Sequence, residues 1–262
     1  KKGSSFKNAL QSIFAVSAIV IAYIVSYILF TQVMGNPVNF EGNNPKMSPL
    51  ENNYLGIIYK GGFIVPILMT CVLVLVIFIV ERIITLLRAK GRGSLSTFVQ
   101  KIQGLLAEDK IEEAMEECDR QKGSLANVMR AGLLRYRDLQ HDKELEKDQK
   151  ILSIQKAFEE ATALELPMLS KNMVMFSTLA SISVLIGLIG TVLGMIRAFG
   201  ALAQSGAPDA LALATGISEA LVNTAFGITG STLAIIAFNF FSSTIDSYTY
   251  KIDEAGFSLT QN

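Results

Sequence analysis

Two strongly apolar runs carry the residues whose types and spacing could do chemistry. In the first, Ala180, Ser183, Gly187, Thr191, Gly194 and Ala198 follow one another at steps of 3, 4, 4, 3 and 4. In the second, Ala220, Thr224, Gly227, Ser231 and Ala234 follow at steps of 4, 3, 4 and 3. That spacing puts each set on a single stripe of a helix. Two readings of the stripes stand side by side. Small residues let helix backbones approach closely, and Gly190-x-x-x-Gly194 has the form of such a contact. Alternatively, the stripes line a narrow passage in which threonine and serine hydroxyls hold water. Thr191 and Thr224 can also turn their hydroxyls to their own i−4 carbonyls.

Depth relates the two runs. Arg197 closes the first and Glu219 opens the second. Thr191 lies about 9 Å along the helix from Arg197, and Thr224 about 7.5 Å from Glu219. In antiparallel helices the threonines therefore sit at similar depth. Arg197 and Glu219 either pair or each snorkel to the interface. No Asp, Glu, His or Lys stands in the middle of any apolar run. Proton transfer across a membrane ordinarily uses such a group. Such a chain could shape and hydrate a path but has no carrier at mid-depth; if it conducts protons, a partner is expected to bring the acid.

The rest of the composition excludes other chemistries. A single His and two Cys leave no His/Cys metal site and no disulfide framework. There is no nucleotide-binding Gly-Lys-Ser/Thr loop and no catalytic triad arrangement, so no enzyme activity and no cofactor are expected. Lys+Arg and Asp+Glu are 23 each, which gives no basic excess for nucleic acid.

Half of the 262 residues are hydrophobic, and the mean hydropathy is +0.41. That reads as an integral membrane protein with a water-exposed part. A bilayer core needs roughly 20 apolar residues in a helix. Four runs qualify: about 11–31, 61–80, 172–202 and 217–245. The first follows Lys1, Lys2 and Lys7, but it is longer than a signal-peptide core and reads as a retained span. Arg82, Arg88, Lys90 and Arg92 follow the second run, whereas the 203–216 loop carries no Lys or Arg. The positive-inside rule then puts both termini and the segment from Arg82 to Lys171 in the cytoplasm. The 33–60 and 203–216 loops lie outside, with turn chemistry at Gly35-Asn36-Pro37, Asn43-Asn44-Pro45 and Gly206-Ala207-Pro208.

The cytoplasmic segment is charged but periodic. Val99, Ile102, Leu105 and Leu106 recur at helical spacing, as do Ile111, Ala114, Met115 and Cys118, then Leu125, Val128, Met129, Leu133 and Tyr136. Ser124 reads as an N-cap. A further helix from about His141 to Leu166 leads to the third span, with Pro167 expected to kink the junction. These helices form a small bundle or extend the spans, and the many Glu and Lys form its solvated face.

Two stretches carry a resemblance. Gly187-Leu188-Ile189-Gly190-Thr191-Val192-Leu193-Gly194-Met195-Ile196 resembles the GLLGTVxGMI signature of the MotA/TolQ/ExbB proton-channel family. Ile217-Ser218-Glu219-Ala220-Leu221-Val222-Asn223-Thr224-Ala225-Phe226-Gly227 resembles its IxEALxxTAxG signature. Glu81-Arg82 fits the inner end of the family's first core span, and the order of spans agrees over about 61–250. The ExbB/TolQ branch fits best. Residues 1–60 are an addition to that pattern, and Ser183-Val184 replaces an Ala-Pro.

The resemblance implies an all-α integral membrane protein: four transmembrane helices and a cytoplasmic helical domain, assembling into a ring. The expected divisions are 1–60 for the added span and periplasmic loop, 61–92 for the second span, 93–171 for the cytoplasmic domain, 172–250 for the pore-lining helices and 251–262 for a tail. The family forms a homo-oligomer, a pentamer, in the bacterial inner membrane. The ring encloses an ExbD-like single-span partner carrying a membrane Asp. A TonB-like protein receives the work and energises outer-membrane transport. Thr191, Thr224, Glu219 and Ser231 become pore and proton-pathway positions. Gly187, Gly190, Gly194 and Gly227 become the smooth packing wall. A TolQ-like subunit, a non-conducting scaffold and a transporter subunit are the competing expectations.

Overall fold

The computed structural model describes residues 17–140, 145–203 and 209–261, with side chains up to 257. The expected start of the first span at 11–16, the lysines before it, His141 and the Gly206-Ala207-Pro208 turn lie outside the described residues. Among the described residues the chain is helical with one isolated bridge, Phe40 to Pro49. Four helical stretches are long and apolar enough to cross a membrane, by length and composition. The chain divides into two compact units, Lys1–Ile79 with Val174–Phe238, and Val80–Met173 with Asn239–Asn262.

The first unit opens with α1, Ser17–Met34. Its last turn, Leu29–Met34, widens to a π-helix, and the Gly35 N–H donates to the Phe30 carbonyl at 2.9 Å. Short 3₁₀ turns at Pro37–Asn39 and Glu41–Asn43 follow. Helix α2, Tyr54–Tyr59, is capped by Asn53, whose side chain accepts from the Gly56 N–H at 3.0 Å. The loop between α1 and α2 is a folded module. Asn39 Nδ2 donates to the Val33 and Met34 carbonyls at 2.8 and 3.0 Å, and Asn53 Nδ2 donates to Asn39 Oδ1 at 3.0 Å. Phe40 is buried beneath them, edge-on to Tyr59, which stacks on Phe30 at 4.8 Å.

Gly62, at φ +73°, turns the chain into α3, Ile64–Lys90. Pro66 fits its first turn because an N–H there has no helical acceptor. The third and fourth long helices are α8, Met173–Leu202, and α9, Ala210–Gln261. Helix α9 is 52 residues long, far beyond the span expected at 217–245. Its start is set by Asp209, whose carboxylate accepts from the Leu211 and Ala212 N–H groups, both at 3.0 Å. The helix therefore takes over much of the expected 203–216 loop.

The second unit holds the end of α3, the tail of α9 and four amphipathic helices: α4 (Leu95–Ala107), α5 (Ile111–Gln121), α6 (Ser124–Gln140) and α7 (Lys147–Leu169). Consecutive helices from α4 to α7 pack on one another. The periodic residues Ile102, Ile111, Ala114, Met115, Cys118, Leu125, Val128, Met129 and Leu133 are buried; Val99, Leu105, Leu106 and Tyr136 are half-buried. Gly91, at φ +71°, lies where a Cβ would come within 2.1 Å of the Lys122 carbonyl oxygen. That close approach lets the Arg92 N–H donate to the Gln121 carbonyl at 2.7 Å.

Two local expectations are corrected. Ser124 is the first helical residue of α6 and not its cap; the Gly123 carbonyl before it accepts from the Asn127 N–H. Pro167 sits inside α7, and the break before α8 falls at Ser170–Asn172, where Asn172 takes φ +63°.

Burial, and then the Asp119 carboxylate, push the Cys118 thiol up to about 12. The sign is that of a raised folded-state value: the stabilisation is whole below about 9 and is lost as pH rises towards about 12. At neutral pH the thiolate is roughly a thousandfold rarer than for a free cysteine. Cys118 is therefore expected to resist maleimide in the folded protein and to react once denaturant opens the helices. Labelling followed by peptide mass spectrometry checks this, and rapid labelling of the native protein would refute it.

Candidate functional site

The two stripes of small residues face each other. A Cβ on Gly187 would lie 3.0 Å from Gly227 Cα, and one on Gly227 would lie 2.7 Å from the Ser183 carbonyl oxygen. A Cβ on Gly194 would meet the Ala220 nitrogen and the Gly216 oxygen at 2.8 Å. Gly216, which the stripe pattern omits, faces Ala198 and the Gly194 oxygen equally closely. Within one chain, then, Gly187, Gly194 and Gly227 serve close helix approach, as the packing reading requires.

The hydroxyls meet at the same contact. Thr191 and Thr224, both half-buried, are hydrogen-bonded to each other through their side-chain oxygens. The same hydroxyls stand within donor reach of backbone carbonyls, Thr191 of Gly187 at 3.2 Å and Thr224 of Ala220 at 3.1 Å, as alternatives to the bond between them. Each hydroxyl has one proton and two lone pairs. A pair of this kind can rotate its protons between backbone acceptors, its neighbour and an incoming group. Ser231 lies farther along α9, in a shallow groove of about 360 Å³ shared with Ser177, Ser181 and Ile235.

The charges at the other end of the contact pair rather than snorkel. Arg197 Nη1 donates to both Glu219 oxygens, at 2.5 and 2.7 Å. Glu219 is buried, while the Arg197 side chain stays 51% exposed and lies 5.6 Å from the Phe63 ring. Gly62 makes room for the carboxylate: a Cβ there would stand 2.5 Å from Glu219 Oε1.

Two functional-looking groups escape a pattern reading. Asn223, beside Thr224, is fully buried and donates from Nδ2 to the Gly61 carbonyl at 2.9 Å. Its side chain fills the space over Gly190, where a Cβ would come within 2.5 Å of Asn223 Cβ. So Gly190 seats Asn223, and Asn223 fastens α9 to the turn before α3. The signal was an amide inside an uncharged apolar run, where a polar side chain has to find a partner. The second group, in the other unit, is Arg82. It is fully buried, donates from Nε and Nη2 to Glu81 at 2.8 Å each, and donates from Nη1 to the Leu169 carbonyl at 3.0 Å. Asn172 Nδ2 reaches the same Glu81 carboxylate at 3.4 Å. Among the described residues no group of three His, Cys, Asp or Glu could hold a metal ion.

Residues 120–254 match the MotA/TolQ/ExbB proton channel family. The ExbB-like 3 biopolymer transport protein of Synechocystis is 39% identical over 89 residues, 33% of this chain and 42% of that protein. The Tol-Pal system protein TolQ of Pseudomonas aeruginosa is 31% identical over 116 residues, 44% of this chain and 50% of that protein. The biopolymer transport protein ExbB of Salmonella typhimurium is 38% identical over 72 residues, 28% of this chain and 30% of that protein. The chain thus spans at most about half the length of these relatives. The family match covers the Thr191–Thr224 pair, the Arg197–Glu219 pair and the α8–α9 contact together: this chain is a membrane protein of the MotA/TolQ/ExbB proton channel family.

Proposed function

We propose that this chain is the ExbB-type subunit of a proton-driven motor in the bacterial inner membrane, with both termini in the cytoplasm. Five copies form a ring whose α8 and α9 helices surround a pore. The pore holds an ExbD-like single-span partner that carries a membrane Asp. The observation that carries this reading is the pair of threonine hydroxyls, bonded across two apolar helices that have no acid at mid-depth. Such a pair solvates a carboxyl group as it gains and loses its proton, and it has no carrier of its own. Glu219, neutralised by Arg197, sets the field at the outer mouth. Gly187, Gly194 and Gly227 hold the wall together, and Ser231 extends the polar path inward. A TonB-like protein receives the motion and energises outer-membrane transport.

The 116-residue match to a TolQ favours a second reading, in which the same motor drives envelope maintenance. Growth on a TonB-dependent nutrient, compared with envelope integrity, separates the two after deletion of the chain.

The test of the site is Thr224→Val, which keeps the shape and removes the hydroxyl. Energised transport is expected to fall by about a hundredfold or more, the usual cost of removing one positioned hydrogen-bond donor. Native mass spectrometry is expected to show the ring and its partner intact. Normal transport in this variant would remove Thr224 from the pathway.

A further inference from the structure

A groove of about 600 Å³ opens on the unit that holds the end of α3 and the tail of α9. Lys90, the last residue of α3, and Lys251 on α9 line it, together with Ser243, Ser247, Tyr248 and Phe240. Neither ammonium group has an ion-pair partner among the described residues. Lys251 is shared with an adjoining groove that Glu254 lines, and no carboxylate lines this one. The groove is thus a recess of one charge sign with hydroxyl donors in its wall.

Its level along the helix is informative. The apolar run of α3 ends at Val80, so the edge of the hydrocarbon core lies near Glu81. Lys90 lies nine residues beyond Glu81, about 13.5 Å, and Lys251 six residues beyond the end of the α9 run at Ile245, about 9 Å; both long side chains reach back toward the headgroup level. Phe240 is exposed inside the apolar run of α9, on the span side of the lysines. An apolar side chain stands where acyl chains run, and cationic ones where phosphates sit.

We propose that this groove binds the headgroup of an anionic phospholipid. The phosphate oxygens accept from both ammonium groups and from the serine and tyrosine hydroxyls, while an acyl chain lies along Phe240. A free phosphate meets the same donors but leaves that apolar surface unused. A basic recess at the cytoplasmic ends of membrane helices is a setting in which anionic headgroups are recognised.

The test uses the full chain, purified in detergent, stripped of lipid and titrated with phosphatidylglycerol, phosphatidylcholine or inorganic phosphate under native mass spectrometry. Phosphatidylglycerol is expected to bind more tightly than phosphatidylcholine, and added salt weakens it. Lys90→Gln and Lys251→Gln are each expected to weaken it about fivefold, and together about thirtyfold. The paired Arg substitutions are expected to retain it. Equal binding of the two lipids by the unaltered chain would overturn the proposal, as would an unaffected double Gln variant. Displacement of phosphatidylglycerol by equimolar inorganic phosphate would make the groove a free-anion site and overturn it too. The readout is lipid occupancy, so it stands apart from transport and from the motor reading.

Discussion

Arg82→Met is expected to destabilise its helical unit by about 1–3 kcal/mol, the usual result of leaving acceptors without a buried donor; Glu81 itself is 31% exposed. Arg82 is fully buried and uses three of its nitrogens as donors, two to Glu81 and one to the Leu169 carbonyl. Without the guanidinium, Glu81 keeps only Thr85 and Asn172 as donors, and the last carbonyl of α7 loses its partner. Arg82→Lys keeps the charge but not the fork, so it falls between the two. The double change Glu81→Met with Arg82→Met removes the unpaired carboxylate and recovers part of the loss. Denaturant titration of the helical signal in detergent reads all three. A double variant no better than Arg82→Met would show that the carboxylate is not the source of the cost.

Gly227→Leu is expected to abolish transport and to cost more stability than Gly227→Ala, which itself costs about 1–3 kcal/mol as an overpacked contact. A Cβ at this position meets the Ser183 carbonyl oxygen at 2.7 Å and Gly187 Cα at 2.9 Å. Both are backbone atoms, so no side chain can swing aside, and the helices have to separate. Separation lengthens the Thr191–Thr224 bond one turn away. Gly104→Ala is the contrast: nothing lies within 4 Å of a Cβ there, and the change is expected to stabilise α4 by about 0.5–1 kcal/mol. Unimpaired transport in Gly227→Ala, measured beside that control, would mean that α8 and α9 tolerate a wider gap than the geometry allows.

The spans are legible because a bilayer imposes a length and a composition that few other structures share. The stripes are legible because helical spacing fixes which residues share a face. Their partners are not. Nothing in the order of residues says that Gly187 faces Gly227, or that Asn223 ends on the Gly61 carbonyl 162 positions away. Arg82 is hidden for a related reason. An Arg beside a Glu after an apolar run reads as an interfacial charge, and only packing takes its exposure to zero. The length of α9 is missed because its polar last part carries no span signal, although Ile252 and Ala255 there are buried and a Cβ on Gly256 would run into the Phe158 ring. Asp209 was the legible clue to where that helix starts.

The module between α1 and α2 also bears on the order in which the protein is made. Its contacts join neighbours in sequence: Asn39 with Asn53, 14 positions apart, and Phe30 with Tyr59. Short loops close early and at small entropic cost. The clasp between α9 and Gly61 joins residues 162 positions apart and has to wait for that much more chain to leave the ribosome. During synthesis this module can therefore be complete while its later partners do not yet exist. It gives the nascent chain a finished edge against which the last helix docks.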